Sequence, residues 1–539
     1  MKHIIIPFLA VLLLCTLANA QPVRYSSDSK TDLQSVVDQL DDGGALIVEA
    51  GTYQLEKPID IRKNVTIVGS PDADTIIQGR NGCFVVKAPK QDDKQVTLAH
   101  LTLAVKSGKK PKNFDEATIH SVMVTLGNVK LIQCQLTSDG GNGLRATGAK
   151  TKVEIVRSEV SKCAWNGVAY RERASGLIDE CAIFEMTGAS VFVDGSGDVS
   201  VRNSKIHSSR NNGILYEGKG TSGVIEECEI YETTTPCVAI AGGANVTISK
   251  STIHSGKDTA GVYCAGEDTR ATIKSCIIKD NGRNGINILS SNVTIEDCLL
   301  TGNGDHQLEF SKGAKLTVRK SNFNEGKKYG VNAGAQAGEA TFVECHFGMN
   351  DKSGLVLVEC GVTTPKFTFE KCTIYGNKLN QVVIGGGVDV TMSDSSILSG
   401  GGDFHGVLIV GATTKALFER CSFNSHKHAD ISIEEADPVF RNCKIHRGLG
   451  DGNGIQVDGG KGLFENCEIY DYGFPAIGIT NGGNPTFKNC TIRNNNVGVY
   501  VIDKGRGTFE GNRFSHNNTN WQIKPTAGQV TRRNNLPNR

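Results

Sequence analysis

Four charged residues take outward places in successive segments of the chain: Arg145 just after the first core residue of NGLRA, and Arg171 in NGVAYR, Asp194 in SVFVD and Glu217 in NGILYE two places further on. If those segments stack as neighbouring strands, Asp194 and Glu217 lie one strand spacing apart, ~4.8 Å. A close pair of carboxylates raises the pKa of one partner, which leaves an acid and a base side by side. Arg145 and Arg171 beside them can bind the carboxylate of a sugar acid. The pattern therefore offers a catalytic site for uronate chemistry, by elimination or hydrolysis. The same four residues would also make an ordinary solvated ion cluster.

A second set repeats just after a C-x-I motif: Phe184, His207, Tyr231 and His254, with His446 and Tyr470 recurring later and Tyr375 apart. Outward rings spaced along a groove can stack on the apolar faces of sugars, which makes these the candidate substrate-binding residues. They can equally stack on one another. In NSHKHAD, His426, His428 and Asp430 alternate, as metal ligands on one side of a strand would. Asp430 also takes the turn position held elsewhere by Gly285, Gln307 and Gln381, which favours a structural role, and no metal site is assigned. No cofactor is required by the pattern. Weak calcium binding is conceivable at the acidic step formed by Glu434 and Asp458.

What must position these residues is a repeat. FENCEIYDYG at residue 464 returns as FKNCTIRNNN, FRNCKIHRGL, FERCSFNSHK and FEKCTIYGNK, and upstream as IEECEIYETT and IKSCIIKDNG. The frame's central position reads Leu101, Cys134, Ser158, Cys181, Ser204, Cys228, Ser251, Cys276, Cys298, Ser321, Cys345, Cys372, Ser395, Cys421, Cys443, Cys467, Cys490 and Asn512, at steps of 22 to 27 residues after Cys134. Each period holds two alternating apolar stretches plus the short C-x-I, with no room for a ten-residue helix. Period-2 alternation rich in β-branched residues means strands, and a fixed period means a solenoid. The expected fold is all-β: a single right-handed parallel β-helix solenoid with three short strands per coil. Equivalent inward positions then form columns. The cysteine column sits in a narrow part of the core, where Cys acts as a small hydrophobe and Ser fits equally well. Thiols on alternate coils are too far apart to bridge, and stacked parallel side chains give poor disulfide torsions. Free, buried thiols are expected.

The ends and insertions are legible too. Residues 1–20 read as a signal peptide cleaved between Ala20 and Gln21, so the protein is expected to be secreted or periplasmic. Residues 21–44 carry a capping helix at TDLQSVVDQL, residues 45–523 form the β-helix, and residues 524–539, polar and aperiodic, form a loosely ordered tail. KSGKKPKNFDEATIH, residues 106–120, is an inserted basic loop. With 58 basic and 57 acidic residues, net charge +1, no clustered positive charge marks a nucleic-acid partner. No apolar run is long enough to span a membrane. An outward aliphatic stripe, Val356, Val358, Val383, Leu408 and Val410, suggests a covering loop, a partner or self-association.

Residues 33–69, LQSVVDQLDDGGALIVEAGTYQLEKPIDIRKNVTIVG, resemble the opening of right-handed β-helix proteins of the pectin lyase-like superfamily, with Gly43, Gly44, Gly51, Tyr53, Val65, Ile67 and Gly69 carrying the likeness. The resemblance implies the same fold over nearly the whole mature chain, and polysaccharide as the partner. It does not carry an activity across. The W-I-D-H and R-x-P-x-x-R of pectate lyases are missing, GDFHG at residues 402–406 is a partial echo of polygalacturonases, and YGFPAI at Tyr472 lacks the Asp and His of mannuronan epimerases. A non-catalytic structural or binding protein of the envelope is the alternative reading, and a periplasmic metal-handling role a third.

Overall fold

The computed structural model describes residues 21–112, 116–358, 361, 364–400, 402–449 and 452–537. The expected signal peptide lies outside them. Two compact units meet in sequence at Ala271 and Thr272, and each is a parallel β-helix.

In the first unit, helix α1 (Leu33–Gln39) is started by Asp32, whose side chain accepts from the Ser35 N–H at 3.0 Å. Leu33, Val37 and Leu40 are buried, so the helix covers apolar surface that a first coil would otherwise expose. Three strands make a coil. Asp198–Arg202, Lys205–His207 and Ile214–Glu217 pair in parallel with Ser222–Glu226, Glu229–Tyr231 and Val238–Ala241 one coil on. The three resulting sheets are called A, B and C in that order. Inward residues stack in register, as Val201 does on Ile225, Ile206 on Ile230 and Ile214 on Val238, and all six are fully buried.

The corner between sheets A and B explains the cysteine column. The residue before the column position turns the chain with a left-handed backbone: φ is 51° at Glu180, 48° at Asn203 and 54° at Glu227. Such a conformation costs a non-glycine residue on the order of 1 kcal/mol. The column residues bond from coil to coil. The Cys181 N–H donates to Ser204 Oγ at 3.0 Å, and the Cys228 N–H to Ser251 Oγ at 3.1 Å. The hydroxyl of Ser204 then donates to Arg202 O. The thiol of Cys181 likewise lies 3.2 Å from Asp179 O and 3.4 Å from Ile155 O. Size alone therefore does not fix the column: the serine hydroxyls at Ser204 and Ser251 each accept a buried N–H from the coil before.

Two tyrosines occupy inward places in sheet C. Tyr170 and Tyr216 donate their hydroxyls to Val153 O at 2.8 Å and Val199 O at 2.7 Å. Gly176 and Gly223 make room, since a Cβ at either would stand 2.6 Å from the ring. The paired SG of SGLID and SGVIE is the sequence trace of this packing.

In the second unit the same three-strand coil continues, with a sheet-A core of stacked rings. Phe418, Phe440, Phe464, Phe487 and Phe509 follow one another at centroid distances of 4.8, 4.7, 4.5 and 5.1 Å. Every described cysteine in the chain is free and buried, as expected. At the corner between sheets B and C, buried amides bond from coil to coil: Asn281 to Asn303, Asn350 to Asn377 and Asn495 to Asn517. The chain's end departs from expectation. Val530–Arg533 is a strand paired with Gly507–Glu510, and Asn535 Oδ1 accepts the Asn512 N–H at 2.9 Å. The tail thus adds another coil. Its strand reads VTRR and is half-buried to exposed, so the apolar period is lost while the column residue is kept.

Candidate functional site

The predicted catalytic residues lie on the outer face of sheet C, in the first unit, but not in one column. Register places Arg171 beside Thr147 and places Glu217 beside Ala241, in the column that also holds Asp194. Arg145 belongs to the neighbouring column, aligned with Ala169, Phe192 and Leu215. The offset is one pair of strand positions and follows from the side-chain period of 2. Arg145 is second in its strand, Arg171 and Glu217 end theirs, and Asp194 directly follows the end of its own.

Within the site, Arg171 grips Asp194 through three contacts of 2.7 to 3.0 Å. Both side chains are mostly covered, 23 and 18% exposed, and the guanidinium carbon lies 5.8 Å from the centre of the Phe192 ring. Burial, followed by the charge of Arg171, lowers the pKa of Arg145. Glu217 is exposed at the strand end. Asp194 is thus the acceptor of a bidentate ion pair and not one of two equivalent acids. Behind Arg145, His120 is buried and accepts the Asn142 N–H on Nδ1 at 3.1 Å. Burial and then the charge of Arg145 push this histidine down to about 4.

The aromatic column is real, but its rings face each other. Phe184, His207, Tyr231 and His254 stack at 5.0, 4.7 and 5.0 Å, within 11° of parallel. A sugar cannot lie on a face already covered by the next ring, so His207 and Tyr231, stacked on both sides, offer only their edges. His446 and Tyr470 stack likewise at 4.9 Å. Beside the column, Lys110 and Pro111 of the insertion line a cleft of about 580 Å³ together with Lys162, Arg210, Asp139 and Glu185. Asp139 holds the start of the insertion by accepting from Ser107 N and Oγ, both at 2.7 Å.

In the second unit, the alternation of His426, His428 and Asp430 does not place them on one side. His428 is exposed, with its ring 5.6 Å from that of His405. His426 and Asp430 are buried, Nδ1 to Oδ1 at 2.5 Å, and Nε2 of His426 meets Leu398 O at 3.1 Å. The other Asp430 oxygen takes the hydroxyl of Tyr472. Both ring nitrogens are spent, so the trio is a buried polar cross-link. Tyr472 of YGFPAI is accordingly a core residue. Glu434 and Asp458 are neighbours across sheet C, with Asp458 accepting from Asn481 at 2.7 Å. Among the described residues, no group of three or more His, Cys, Asp or Glu is arranged to hold a metal, and no helix is long and apolar enough to cross a membrane. Val356, Val383 and Leu408 share one half-buried outward column, and Val358 stands in the next beside Gly385, the column that Val410 continues.

One further site has no counterpart among the sequence candidates. On the outer face of sheet C, the column Gln456, Gly478, Tyr500, Gln522 contains a glycine where its neighbours carry side chains. A cleft of about 490 Å³ opens there, walled by Phe474, Tyr500 and side-chain amides. Phe474 is 43% exposed. A glycine inside a strand marks a gap or a close approach, and that was the available signal.

The description "right handed beta helix region" belongs to a family whose sequence pattern matches residues 189–347, 333–455 and 450–538, together well over half of the chain. The chain belongs to the right-handed β-helix family. The fold implied by the pectin lyase-like resemblance is the one found. No curated protein matches this β-helix by sequence. Among solved structures, pectate lyase Pel9A is 10% identical, with 70% of this chain and 79% of that one covered, at a TM-score of 0.26. A mutant of the periplasmic alginate epimerase AlgG is 11% identical, covering 64 and 76%, at 0.29. The catalytic domain of a GH87 α-1,3-glucanase, in complex with tetrasaccharides, is 13% identical, covering 61 and 65%, at 0.32.

Proposed function

We propose that this β-helix is an exported protein that binds polysaccharide on the outer face of sheet C. One observation carries the reading: the open cleft in the second unit presents an exposed Phe474 and the ring of Tyr500 among side-chain amides. Rings that wall an open cleft can stack on a ligand, and amides beside aromatic rings match the hydroxyls and C–H faces of sugars. Binding is favoured over turnover because Asp194, the best catalytic candidate, is already committed to Arg171.

Affinity electrophoresis of the mature chain against uronate-rich and neutral polysaccharides tests this, with parallel assays for unsaturated and reducing ends. Retardation without new ends is the expected result. New ends that vanish in Asp194→Ala and Glu217→Ala would replace binding with catalysis.

A second reading, a non-catalytic structural protein of the envelope, draws on the aliphatic column of Val356, Val383 and Leu408. It requires a mass in solution that rises with concentration, and a strict monomer removes it.

A further inference from the structure

The gap at Gly478 has a shape and a chemistry that define its ligand more narrowly. Its neighbours in the outward column, Gln456 and Tyr500, stand one coil to either side. Their backbones are therefore ~9–10 Å apart, two strand spacings. Between them Gly478 has no side chain of its own. On the Gln456 side, Asn453 Nδ2 bonds to Gln456 Oε1, and both atoms stand 2.6 Å from the point where a Cβ on Gly478 would sit. The amide pair therefore leans over Gly478 and forms one wall of a slot. Tyr500 forms the opposite wall, Phe474 the rim, and Gln522 continues the column beyond.

Charge is what this slot lacks. No Asp, Glu, Lys or Arg lines it. The nearest cation in contact with its walls is Lys524, 5.8 Å from the centre of the Tyr500 ring. Lys524 extends from the coil of Gln522, so the Gly478 side of that ring is left to a ligand. A carboxylated or sulfated sugar would give up its hydration there without gaining a charged partner, which is costly. A neutral sugar ring loses little, since its hydroxyls meet amides and its C–H face meets an aromatic ring.

Resting on the polysaccharide-binding reading above, we infer that the slot at Gly478 is a subsite for one uncharged sugar residue of a neutral polysaccharide, held between the Tyr500 ring and the Asn453–Gln456 amides. Gly478 is then a specificity-determining position, because a Cβ there would stand 2.6 Å from the Asn453 and Gln456 amides and displace that wall of the slot. Backbone strain does not account for this glycine, since its φ lies outside the left-handed region.

The test compares the intact mature chain with Tyr500→Ala and Gly478→Gln by affinity electrophoresis in a β-glucan, a galactomannan, polygalacturonate and alginate. Melting curves establish that both variants are folded. The expected result is retardation by a neutral polysaccharide, weakened about tenfold or more in each folded variant. Retardation by the two uronate polymers alone would overturn the inference while leaving polysaccharide binding intact. Folded variants that bind a neutral polysaccharide as the parent does would show that the subsite lies elsewhere. No retardation by any of the four would remove both readings. If Gly478→Gln fails to fold, Tyr500→Ala and Gln522→Ala, which alter only outward side chains, decide between these outcomes.

Discussion

The guanidinium of Arg171 closes on the carboxylate of Asp194 from one coil to the next, with Nε 3.0 and 2.9 Å from the two oxygens and a terminal nitrogen 2.7 Å from Oδ2. The pair shields Arg171 from Arg145, whose own pKa is lowered by burial and by that neighbouring charge. Removing the carboxylate leaves two half-covered guanidinium groups facing each other. Asp194→Ala is expected to lower stability by about 1–3 kcal/mol, measured by urea denaturation. Glu217→Ala, at an exposed strand end, should stay within about 0.5 kcal/mol. Equal effects at the two positions would mean that the ion pair does not hold this face together.

The serine positions of the corner column should be more sensitive than their exposure or size suggests. Ser204→Ala deletes the acceptor of the Cys181 N–H and leaves a buried donor unpaired, which costs about 1–3 kcal/mol. Ser204→Cys keeps the size and a weak acceptor and should cost less, while Cys181→Ala should behave as a small cavity. Denaturation of the three variants ranks them, and a Ser204→Ala variant as stable as the parent would return the column to a matter of size.

Acid should weaken the first unit through His120. Its folded pKa is near 4 against an ordinary 6.5. Between those values the unfolded chain binds a proton that the folded chain does not, so stability rises with pH from about 4 to about 6.5 and is then complete. Geometry explains the resistance beyond burial: Nδ1 accepts the Asn142 N–H, and a protonated ring would set donor against donor. The expected loss on acidification is on the order of 3 kcal/mol from this group. His120→Gln keeps an acceptor without titrating and should flatten the profile between pH 4.5 and 7. An unchanged slope would assign the pH dependence to other groups.

The fold was legible because a solenoid writes its geometry into the sequence once per coil. Spacing alone located the corner column at Cys181 and Ser204, the capping helix at Leu33 and the free thiols. What spacing could not show is where an outward side chain goes after it leaves the sheet. Arg145 and Arg171 were both legible as outward residues, at places two apart along the strand, but which carboxylate either would meet was not. Phe184 and His207 were legible as outward rings that either bind sugar or stack on one another, and only the ring geometry decides for stacking. The Gly478 slot was missed for a related reason: an absent side chain gives no motif, and only the register that sets Gly478 between Gln456 and Tyr500 makes the absence informative. At the chain's end, the polar strand around Thr531 hid a coil that Asn535 nevertheless marks.

The buried trio of His426, Asp430 and Tyr472 offers the sharpest test of how side chains fill the corner between sheets B and C. In the coils of Asn303 and Asn377 the same i, i+4 relation is met by neutral pairs, Asn303 with Gln307 and Asn377 with Gln381. In the coil of His426 it is met by an imidazole and a carboxylate, with the Tyr472 hydroxyl on the second oxygen. Burial and then the adjacent carboxylate hold the pKa of that phenol well above its usual value, so it remains a donor. Asp430→Ala strands two buried donors and is expected to cost about 3–5 kcal/mol. Tyr472→Phe, which removes one hydrogen bond but keeps the ring, should cost about 1–3 kcal/mol. The double change His426→Asn with Asp430→Gln rebuilds the neutral pair of the other coils and should recover much of what Asp430→Ala loses, while Asp430→Gln alone should recover less. Thermal and urea unfolding of the four variants, repeated with excess zinc and with a chelator, settles the role of the trio. Stability that follows the pairing and ignores the metal is the expected pattern. A melting temperature raised by zinc in the parent and not in Asp430→Ala would instead make His426 and Asp430 metal ligands.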